Sequence, residues 1–261
     1  MKEMKKTIIL PALLLTGALL TGCSQEEATP GKGMVELNLR AETGFKTRAI
    51  DESAYADIQN YTVKLVNKNT GATVHEALYS EWQTPFQVDS NTEYTISASY
   101  GQEAAASYDH LLCYGEQTFS VKPGITKPID FTAKPRAAKV SVTYTDGFTQ
   151  EYGDCQVGVK TQYMNAPEVI GVAQADQDLY LKAAENENVD LTFTVLDKQG
   201  NEVTAKAGTK SVTVSPQTWL HVTVKRNVSE IEGGKFGITI EVDDRVETVD
   251  FDFNVPNDVF N

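Results

Sequence analysis

Histidine, cysteine and tryptophan are scarce in this sequence, which has three histidines, three cysteines and two tryptophans among 261 residues. His75, His110 and His221 stand far apart, and none lies at metal-ligand spacing from another histidine or from a cysteine. The sequence also lacks a Gly-x-Ser-x-Gly nucleophile motif, a phosphate-binding loop and a dinucleotide-binding fingerprint. These absences argue against an enzyme, and we predict no catalytic residue, no metal site and no cofactor.

Lysine and arginine are also few relative to aspartate and glutamate. The chain has 23 lysines and arginines against 36 aspartates and glutamates, which gives a formal net charge of −13. A protein with this excess of negative charge is repelled by nucleic acid phosphates and by anionic membrane surfaces. We therefore predict no nucleic acid partner.

Long apolar runs are absent except at the amino terminus. There Thr7–Leu20 is almost wholly apolar and follows the basic residues Lys2, Lys5 and Lys6. This run of 14 residues is too short for a helix that crosses a bilayer, since such a helix needs about 20. The basic start and the short apolar run are typical of a secretory signal peptide, and we assign residues 1–22 to it.

A lone cysteine follows this segment. Leu20-Thr21-Gly22-Cys23 resembles a bacterial lipobox, in which an apolar residue and two small residues precede a cysteine that receives a diacylglycerol. The resemblance implies cleavage before Cys23 and acylation of the new amino terminus, so that several chains anchor the protein where one alone binds only marginally. We predict lipidation at Cys23 and assign residues 23–32 to a lipidated tether. The alternative is an uncleaved anchor or a signal peptide without lipid.

Acidic residues come directly after the cysteine, in Ser24-Gln25-Glu26-Glu27. They resemble the signal that sends lipoproteins of Bacteroidales to the outer face of the outer membrane. We therefore predict a protein that is lipid-anchored in the outer membrane and exposed at the cell surface. The alternative is that these residues are only a solvated linker.

Alternation of apolar and polar residues dominates the mature chain. This period of two is the pattern of half-buried β-strands, which have one face in the core and one in water. It predicts strands around the following apolar residues: Val35, Leu37 and Leu39; Tyr61, Val63 and Leu65; Tyr94 to Tyr100; Val140 to Tyr144; Val189 to Val195; Leu220 to Val224; Ile238 to Val242; and Val249 to Val255. A short turn of helix is expected at Glu52 to Ile58, and the predicted fold class is all-β.

One part of the pattern occurs twice. Residues 118–132 and 211–225 each read as a strand, a proline-led turn and a returning strand, with apolar positions matched at a constant offset of 93 (212 − 119). Such a repeat indicates two copies of one antiparallel β-sandwich. With a boundary and a hinge near Pro135, we predict tandem sandwiches of immunoglobulin or transthyretin type at 33–134 and 136–261.

Cys113 and Cys155 are the cysteines of the mature chain besides the lipidated one. Two cysteines can form a disulfide in an oxidising compartment. They fall in different predicted sandwiches, however, so we expect buried free thiols instead.

Paired acids come closest to a chemical motif. Asp176 and Asp178, like Asp250 and Asp252, lie two residues apart, which suits a pair of calcium ligands or a glycosidase pair. Asp250 and Asp252 alternate with apolar residues, so we predict that they lie on the solvent-exposed face of a strand. Asp176 and Asp178 lie in a polar loop that suits contact with an ion, but we assign neither pair to catalysis or metal binding.

Exposed aromatic residues can bind the faces of sugar rings, as they bind cations. Trp82 lies in a loop-like stretch, and Tyr108 and Tyr114 flank another, so these three are candidates for ligand stacking. The alternative is that Trp82 closes one end of a sandwich and that Trp219 packs at an edge. A row of coplanar exposed rings would favour sugar binding.

Several segments resemble a family of Bacteroidales lipoproteins that consist of a domain of unknown function and are similar to fimbrillin-like and cell-adhesion surface proteins. They are the lipobox, KTRA (46–49), EYTISASYG (93–101), YGEQTFSVKPG (114–124) and AKVSVTYTD (138–146). The resemblance covers most of the mature chain. It implies a structural or adhesive role, as a fimbrial subunit or accessory protein, without catalytic residues. The expected partners are the membrane, through the lipid on Cys23, and other surface or fimbrial proteins or glycans.

The same resemblance implies a processing site. Fimbrillin-like precursors are often cut by an arginine-specific protease, and Arg48-Ala49 follows the first alternating strand. Cleavage there would free the strand that carries Val35, Leu37 and Leu39, and the unpaired backbone groups left behind would be a template for a strand of another subunit. The alternative is that 47–49 is only a connecting loop.

A second function is also open, that of a glycan-binding outer-membrane lipoprotein in a polysaccharide-uptake system. Both classes use lipidated tandem β-sandwiches, so the fold does not separate them. A detachable first strand would favour assembly into a pilus.

Overall fold

The structure, a computed structural model, describes residues 31–43, 52–165, 167–170, 177–202, 208–226, 236–242 and 245–251. Strands dominate these ranges. The helices found in them are short: α1 (Glu52–Ala56), α2 (Asp146–Glu151) and single 3-10 turns at Ile58–Asn60 and Tyr79–Glu81. The predicted all-β class is confirmed, and the predicted helical turn corresponds to α1. Cys23, the signal peptide and the Arg48-Ala49 site lie outside the described residues.

The first half of the described chain contributes eight strands. They are β1 (Lys32–Ala41), β2 (Thr62–Asn67), β3 (Thr73–Leu78), β4 (Phe86–Asp89), β5 (Tyr94–Gly101), β6 (Ala106–Ser107), β7 (Leu112–Phe119) and β8 (Thr126–Pro135). The described residues of the second half add nine more. They are β9 (Ala137–Tyr144), β10 (Asp154–Lys160), β11 (Glu168–Ile170), β12 (Leu179–Lys182), β13 (Glu187–Leu196), β14 (Gly208–Val214), β15 (Trp219–Arg226), β16 (Phe236–Val242) and β17 (Arg245–Phe251). Each of the predicted alternating segments overlaps one of these strands.

Seven strands of the first half form two layers of hydrogen-bonded neighbours. One has the order β3-β2-β5-β7 and is antiparallel throughout; the other has the order β8-β1-β4, with β1 parallel to β8 and antiparallel to β4. The end of β8 also pairs with the start of β7. A glycine at position 115 permits this approach, because a Cβ there would lie 2.4 Å from the carbonyl oxygen of Thr132.

The second half repeats this order of strands. One layer is β11-β10-β13-β14, and the other contains β15-β9-β12. Here β9 is parallel to β15, as β1 is parallel to β8 in the first half. The repeated segments 118–132 and 211–225 therefore fall on equivalent strands, β7 with β8 and β14 with β15. The repeat seen in the sequence is a repeat of strand pairing.

Two additions distinguish the halves. A hairpin of β16 and β17 continues the sheet beyond β15. The connection from β5 to β7 carries β6 across the junction, where it pairs with β12 of the second half, and the ammonium group of Lys182 lies 2.8 Å from a carboxylate oxygen of Glu103. Arg136 is the single residue between β8 and β9, so the junction near Pro135 consists of this short connection and the pairing of β6 with β12.

Buried apolar side chains form two clusters, one mainly from each half; the first also contains Ala137 and Tyr180, and Ala106 and Tyr108 pack against the second. The first contains the predicted core residues Val63, Leu65, Ile96 and Phe119, with Phe131 partly buried against it. The second contains the predicted core residues Val142, Leu191, Phe193 and Val222. The side chain of Phe251, also predicted in the core, lies outside the described residues. The period-two alternation of apolar residues thus correctly predicted which side chains of these strands face the core.

The two cysteines of the described chain are free and buried, as predicted. Cys113 belongs to the first cluster and Cys155 to the second. Burial, and then the neighbouring Asp154 carboxylate, raise the pKa of Cys155 to about 12. This cysteine is therefore a protonated, unreactive thiol at neutral pH.

Candidate functional site

The candidate site for assembly is strand β1 together with the slot that it fills between β4 and β8. Met34, Val35, Leu37 and Leu39 are at most 5% exposed. Pairing with β8 runs from Met34 to Ala41. Because β1 is flanked on both sides, its removal would expose apolar side chains and leave two neighbouring strands with unpaired backbone groups.

Ion pairs stand at both ends of this strand. The ammonium of Lys32 lies 2.5 Å from a carboxylate oxygen of Asp89, and that of Lys134 lies 3.3 Å from Glu42. All four side chains are at least 41% exposed, and exposed pairs of this kind contribute only about 0–1 kcal/mol each. Backbone pairing and apolar burial therefore hold β1 in place.

Trp82, a candidate for ligand stacking, is not an exposed platform. Its side chain belongs to the first apolar cluster and the residue is 9% exposed. The indole N–H donates to the carbonyl oxygen of Ala77 at 3.2 Å, and the ring meets His75 and Phe86 at centroid distances of 4.7 and 5.0 Å. The alternative interpretation, in which this tryptophan closes an end of the fold, agrees with its contacts.

The two tyrosine candidates also have protein neighbours. Tyr108 is partly buried against the second apolar cluster. The guanidinium of Arg136 lies 4.7 Å from the centroid of the Tyr114 ring, and the Tyr114 hydroxyl donates to Glu116. Burial, followed by that hydrogen bond, raises the pKa of Tyr114. With Trp82 buried, these three residues do not form an exposed row of rings.

Asp178, a candidate to contact an ion, is paired with a lysine instead. One of its carboxylate oxygens lies 2.9 Å from the ammonium of Lys139, whose side chain is completely buried. The same ammonium lies 4.2 Å from the centroid of the Trp219 ring. This pair is not predictable from the sequence, because Lys139 occupies a position of β9 that alternation assigns to the solvent-exposed face. Asp176 lies outside the described residues.

A row of polar side chains continues from Lys139 along β9 and β15. The Ser141 hydroxyl accepts from the Trp219 indole N–H at 2.8 Å and lies 2.9 Å from Nδ1 of His221. Nε2 of His221 lies 3.2 Å from the Thr143 hydroxyl. Both nitrogens of His221 are thus engaged by hydroxyl groups on one sheet surface.

No metal centre is present among the described residues. They contain no group of three or more histidine, cysteine, aspartate or glutamate residues placed to hold a metal ion. Asp250 lies on β17 opposite Gly237, while its side chain and all of Asp252 fall outside the described residues. Neither of the helices found in the described ranges has the length and apolar character needed to cross a bilayer.

These observations define an all-β protein built on a repeated order of seven strands. A family described as "Domain of unknown function (DUF4493)" matches residues 31–257. The chain belongs to this family, and the predicted membership of a domain-of-unknown-function family is confirmed. A comparison with curated protein sequences finds no significant match.

Similar solved structures come from Bacteroides. A candidate cell adhesion protein of Bacteroides eggerthii is 12% identical with a TM-score of 0.42, over 86% of this chain and 97% of that one. Candidate polysaccharide binding proteins of Bacteroides thetaiotaomicron are 11% identical with a TM-score of 0.44, over 84% and 98% of the two chains. A candidate cell adhesion protein of Bacteroides uniformis is 16% identical with a TM-score of 0.42, over 81% and 97%.

Proposed function

We propose that this protein is a non-catalytic lipoprotein of the outer membrane, anchored through Cys23 and exposed at the cell surface, with a structural or adhesive role as a fimbrial subunit or accessory. The observation that carries the proposal is the position of β1. This strand begins at Lys32, soon after the lipobox and the acidic tether, and is followed by Arg48. Membrane anchor, removable strand and cleavage site thus follow one another in the sequence.

The body carried by this anchor is two β-sandwich domains of immunoglobulin or transthyretin type, at 33–134 and 136–261. The repeated order of strands and the two apolar clusters support this division. Each unit then has a core of its own, as a domain requires. The pairing of β6 with β12 fixes the position of one domain against the other.

Assembly follows from release of β1. Cleavage after Arg48 separates the lipidated peptide, including β1, from the rest of the chain. The slot between β4 and β8 then offers two open strand edges, and the buried side chain of Ile129 on β8 lies beside the position that Leu37 leaves. A strand donated by a second subunit restores both the pairing and the apolar contacts by β-augmentation.

Anchoring is tested at Cys23. Cells fed a fatty-acid analogue are expected to label the wild-type precursor and the 23–48 peptide that cleavage after Arg48 releases from it, and no product of Cys23→Ala, because the acyl chains are attached at this cysteine. A matched control is Cys113→Ala, which removes a buried thiol and leaves labelling intact. Protease treatment of intact cells is expected to remove the wild-type body from the surface. Equal labelling of Cys23→Ala, or survival of the body while other surface proteins disappear, contradicts the assignment.

Processing is tested at Arg48. The protein from native cells is expected to begin at Ala49 and to form ladders of oligomers, and Arg48→Ala is expected to retain the lipidated terminus and to stay monomeric. The matched control is Arg40→Ala, an exposed arginine on β1, which leaves processing unchanged. Terminal sequencing and gel analysis of unboiled samples give the answer. A stable wild-type monomer that begins at acylated Cys23 refutes strand release and leaves a static surface anchor.

A further inference from the structure

A polar cleft lies at one end of the second half of the molecule. It has a volume of about 410 Å³ and is enclosed by the segment after β10, the connection from β12 to β13, and the outer face of β13. The side chains that give it its chemical character are Lys160, Gln162, Glu185, Asn186, Asn188 and Asp190. Its volume is in the range of small-ligand sites, which are about 300–1,000 Å³. Its polar walls suit a ligand covered with hydroxyl groups.

Glu187 holds one wall of the polar cleft in place. This residue is 4% exposed, although it carries a carboxylate. One carboxylate oxygen accepts from the backbone N–H of Gln162 at 3.2 Å, and the other accepts from its side-chain amide. A buried carboxylate bonded in this way fixes the conformation of the segment after β10, so the wall is formed before a ligand arrives.

The floor of the polar cleft is the start of β13. Asn188 and Asp190 project outward there because they alternate with the core residues Val189 and Leu191. Within the described structure, each is held from one side by β14: the Ser211 hydroxyl donates to Oδ1 of Asp190, and that of Thr213 donates to Oδ1 of Asn188. Oδ2 of Asp190 remains as an acceptor and the NH2 group of Asn188 as a donor.

This set of groups matches the chemistry of sugar hydroxyls, each of which donates one hydrogen bond and accepts others. Asp190 and Glu185 are acceptors, while Asn188 and Lys160 are donors. Lys160 and Asp190 are register partners on adjacent strands, so a donor and an acceptor face the same side of the sheet.

The charge of the side chains that line the polar cleft restricts the class of sugar that it can bind. The cleft is lined by one lysine and by the carboxylates of Glu185, Glu187 and Asp190, which gives a formal charge of 1 − 3 = −2. An acidic sugar would meet repulsion in such a site, whereas a neutral or amino sugar would not.

We propose that the polar cleft is a binding site for a neutral or amino saccharide. The site is distinct from the β1 slot, and binding does not require strand release. It depends on the proposed surface exposure only for access to extracellular glycans. The sequence alone does not indicate this site, because amide and carboxylate side chains from three separate segments form it and no aromatic ring marks it.

The test is affinity electrophoresis of the full chain, purified in detergent, through gels that contain starch, yeast mannan, xylan, chitosan or polygalacturonate, with retardation measured for each variant against its own mobility in a gel without polysaccharide. At least one of the neutral or amino polysaccharides is expected to retard the wild type, and polygalacturonate is not. Asp190→Ala and Asn188→Ala are each expected to weaken this binding at least about tenfold, the effect of roughly 1.4 kcal/mol. The matched control is Asp130→Ala, an exposed aspartate on β8, which keeps the retardation of the wild type.

Thermal unfolding of each variant establishes that it is folded before its mobility is compared. Lack of retardation in all the neutral and amino gels, preference for polygalacturonate, or unchanged binding by folded Asp190→Ala overturns the proposal. The labelling and shaving experiments on Cys23 are independent of these gels, so failure of the saccharide site is distinguishable from failure of surface anchoring.

Discussion

Truncation of Phe193 to alanine is expected to lower the free energy of unfolding of the second half by about 3–5 kcal/mol. Phe193 is completely buried in the second apolar cluster. It lies in β13, opposite Val157 of β10 and Gly208 of β14. Alanine at this position leaves a cavity that a close-packed interior cannot fill without strain. Urea denaturation measures the loss.

Tryptophan fluorescence can restrict this unfolding measurement to the second half of the protein. The sequence has two tryptophans, Trp82 and Trp219, one in each half, so a Trp82→Phe background reports on the second half through Trp219. The matched control in that background is Thr194→Ala, the next residue of β13, which is half-buried and should cost less than about 1 kcal/mol. Equal losses from Phe193→Ala and Thr194→Ala would show that the assignment of the core is wrong.

Removal of the Asp178 carboxylate is expected to cost a similar amount, about 3–5 kcal/mol, because Asp178→Ala leaves a buried lysine without its counter-charge. The ammonium of Lys139 lies 2.9 Å from Asp178, and the lysine side chain is completely buried. The Trp219 ring at 4.2 Å offers only weak compensation. The loss is measured by urea denaturation, followed by circular dichroism since Trp219 belongs to the site.

Two controls separate burial of charge from loss of a side chain. Glu93→Ala breaks the pair of Glu93 with Lys68, at 3.3 Å and with both side chains 50% exposed, and is expected to cost less than about 1 kcal/mol. Replacing both buried partners, Lys139→Met with Asp178→Leu, is expected to restore much of the stability, because no uncompensated charge remains. A loss below 1 kcal/mol in Asp178→Ala would refute the dependence of Lys139 on this carboxylate.

Lys139 also shows where alternation along a strand stops being informative. In β9 the pattern assigns Val140, Val142 and Tyr144 to the core; the two valines are buried, and Tyr144 is partly buried against the same cluster. The same pattern assigns Lys139 and Ser141 to water, yet they are 0% and 5% exposed. The period of two reports which face a side chain is on, but only neighbouring strands determine whether that face is covered.

Aromatic residues illustrate a similar limit. Trp82 lies in a stretch that reads as a loop, which made its ring a candidate for ligand stacking. In the structure, His75 and Ala77 of β3 and the nearby Phe86 contact Trp82, which is buried. Loop character in a sequence describes local backbone preference, and it carries no information on which side chains pack against the ring.

The sequence by itself determined the all-β class, the buried faces of the strands, the free state of the two cysteines and the internal repeat. These properties depend on residues close together in the chain, because side chains alternate along any strand and turns interrupt it at Gly, Pro, Asn and Asp. Only the tertiary structure decided the pairing of β6 with β12, the position of β1 between β4 and β8, the ion pair of Lys139 with Asp178, and the polar cleft. Each of these requires segments far apart in sequence to meet, and strand register and connection, which periodicity does not encode, determine which segments do so.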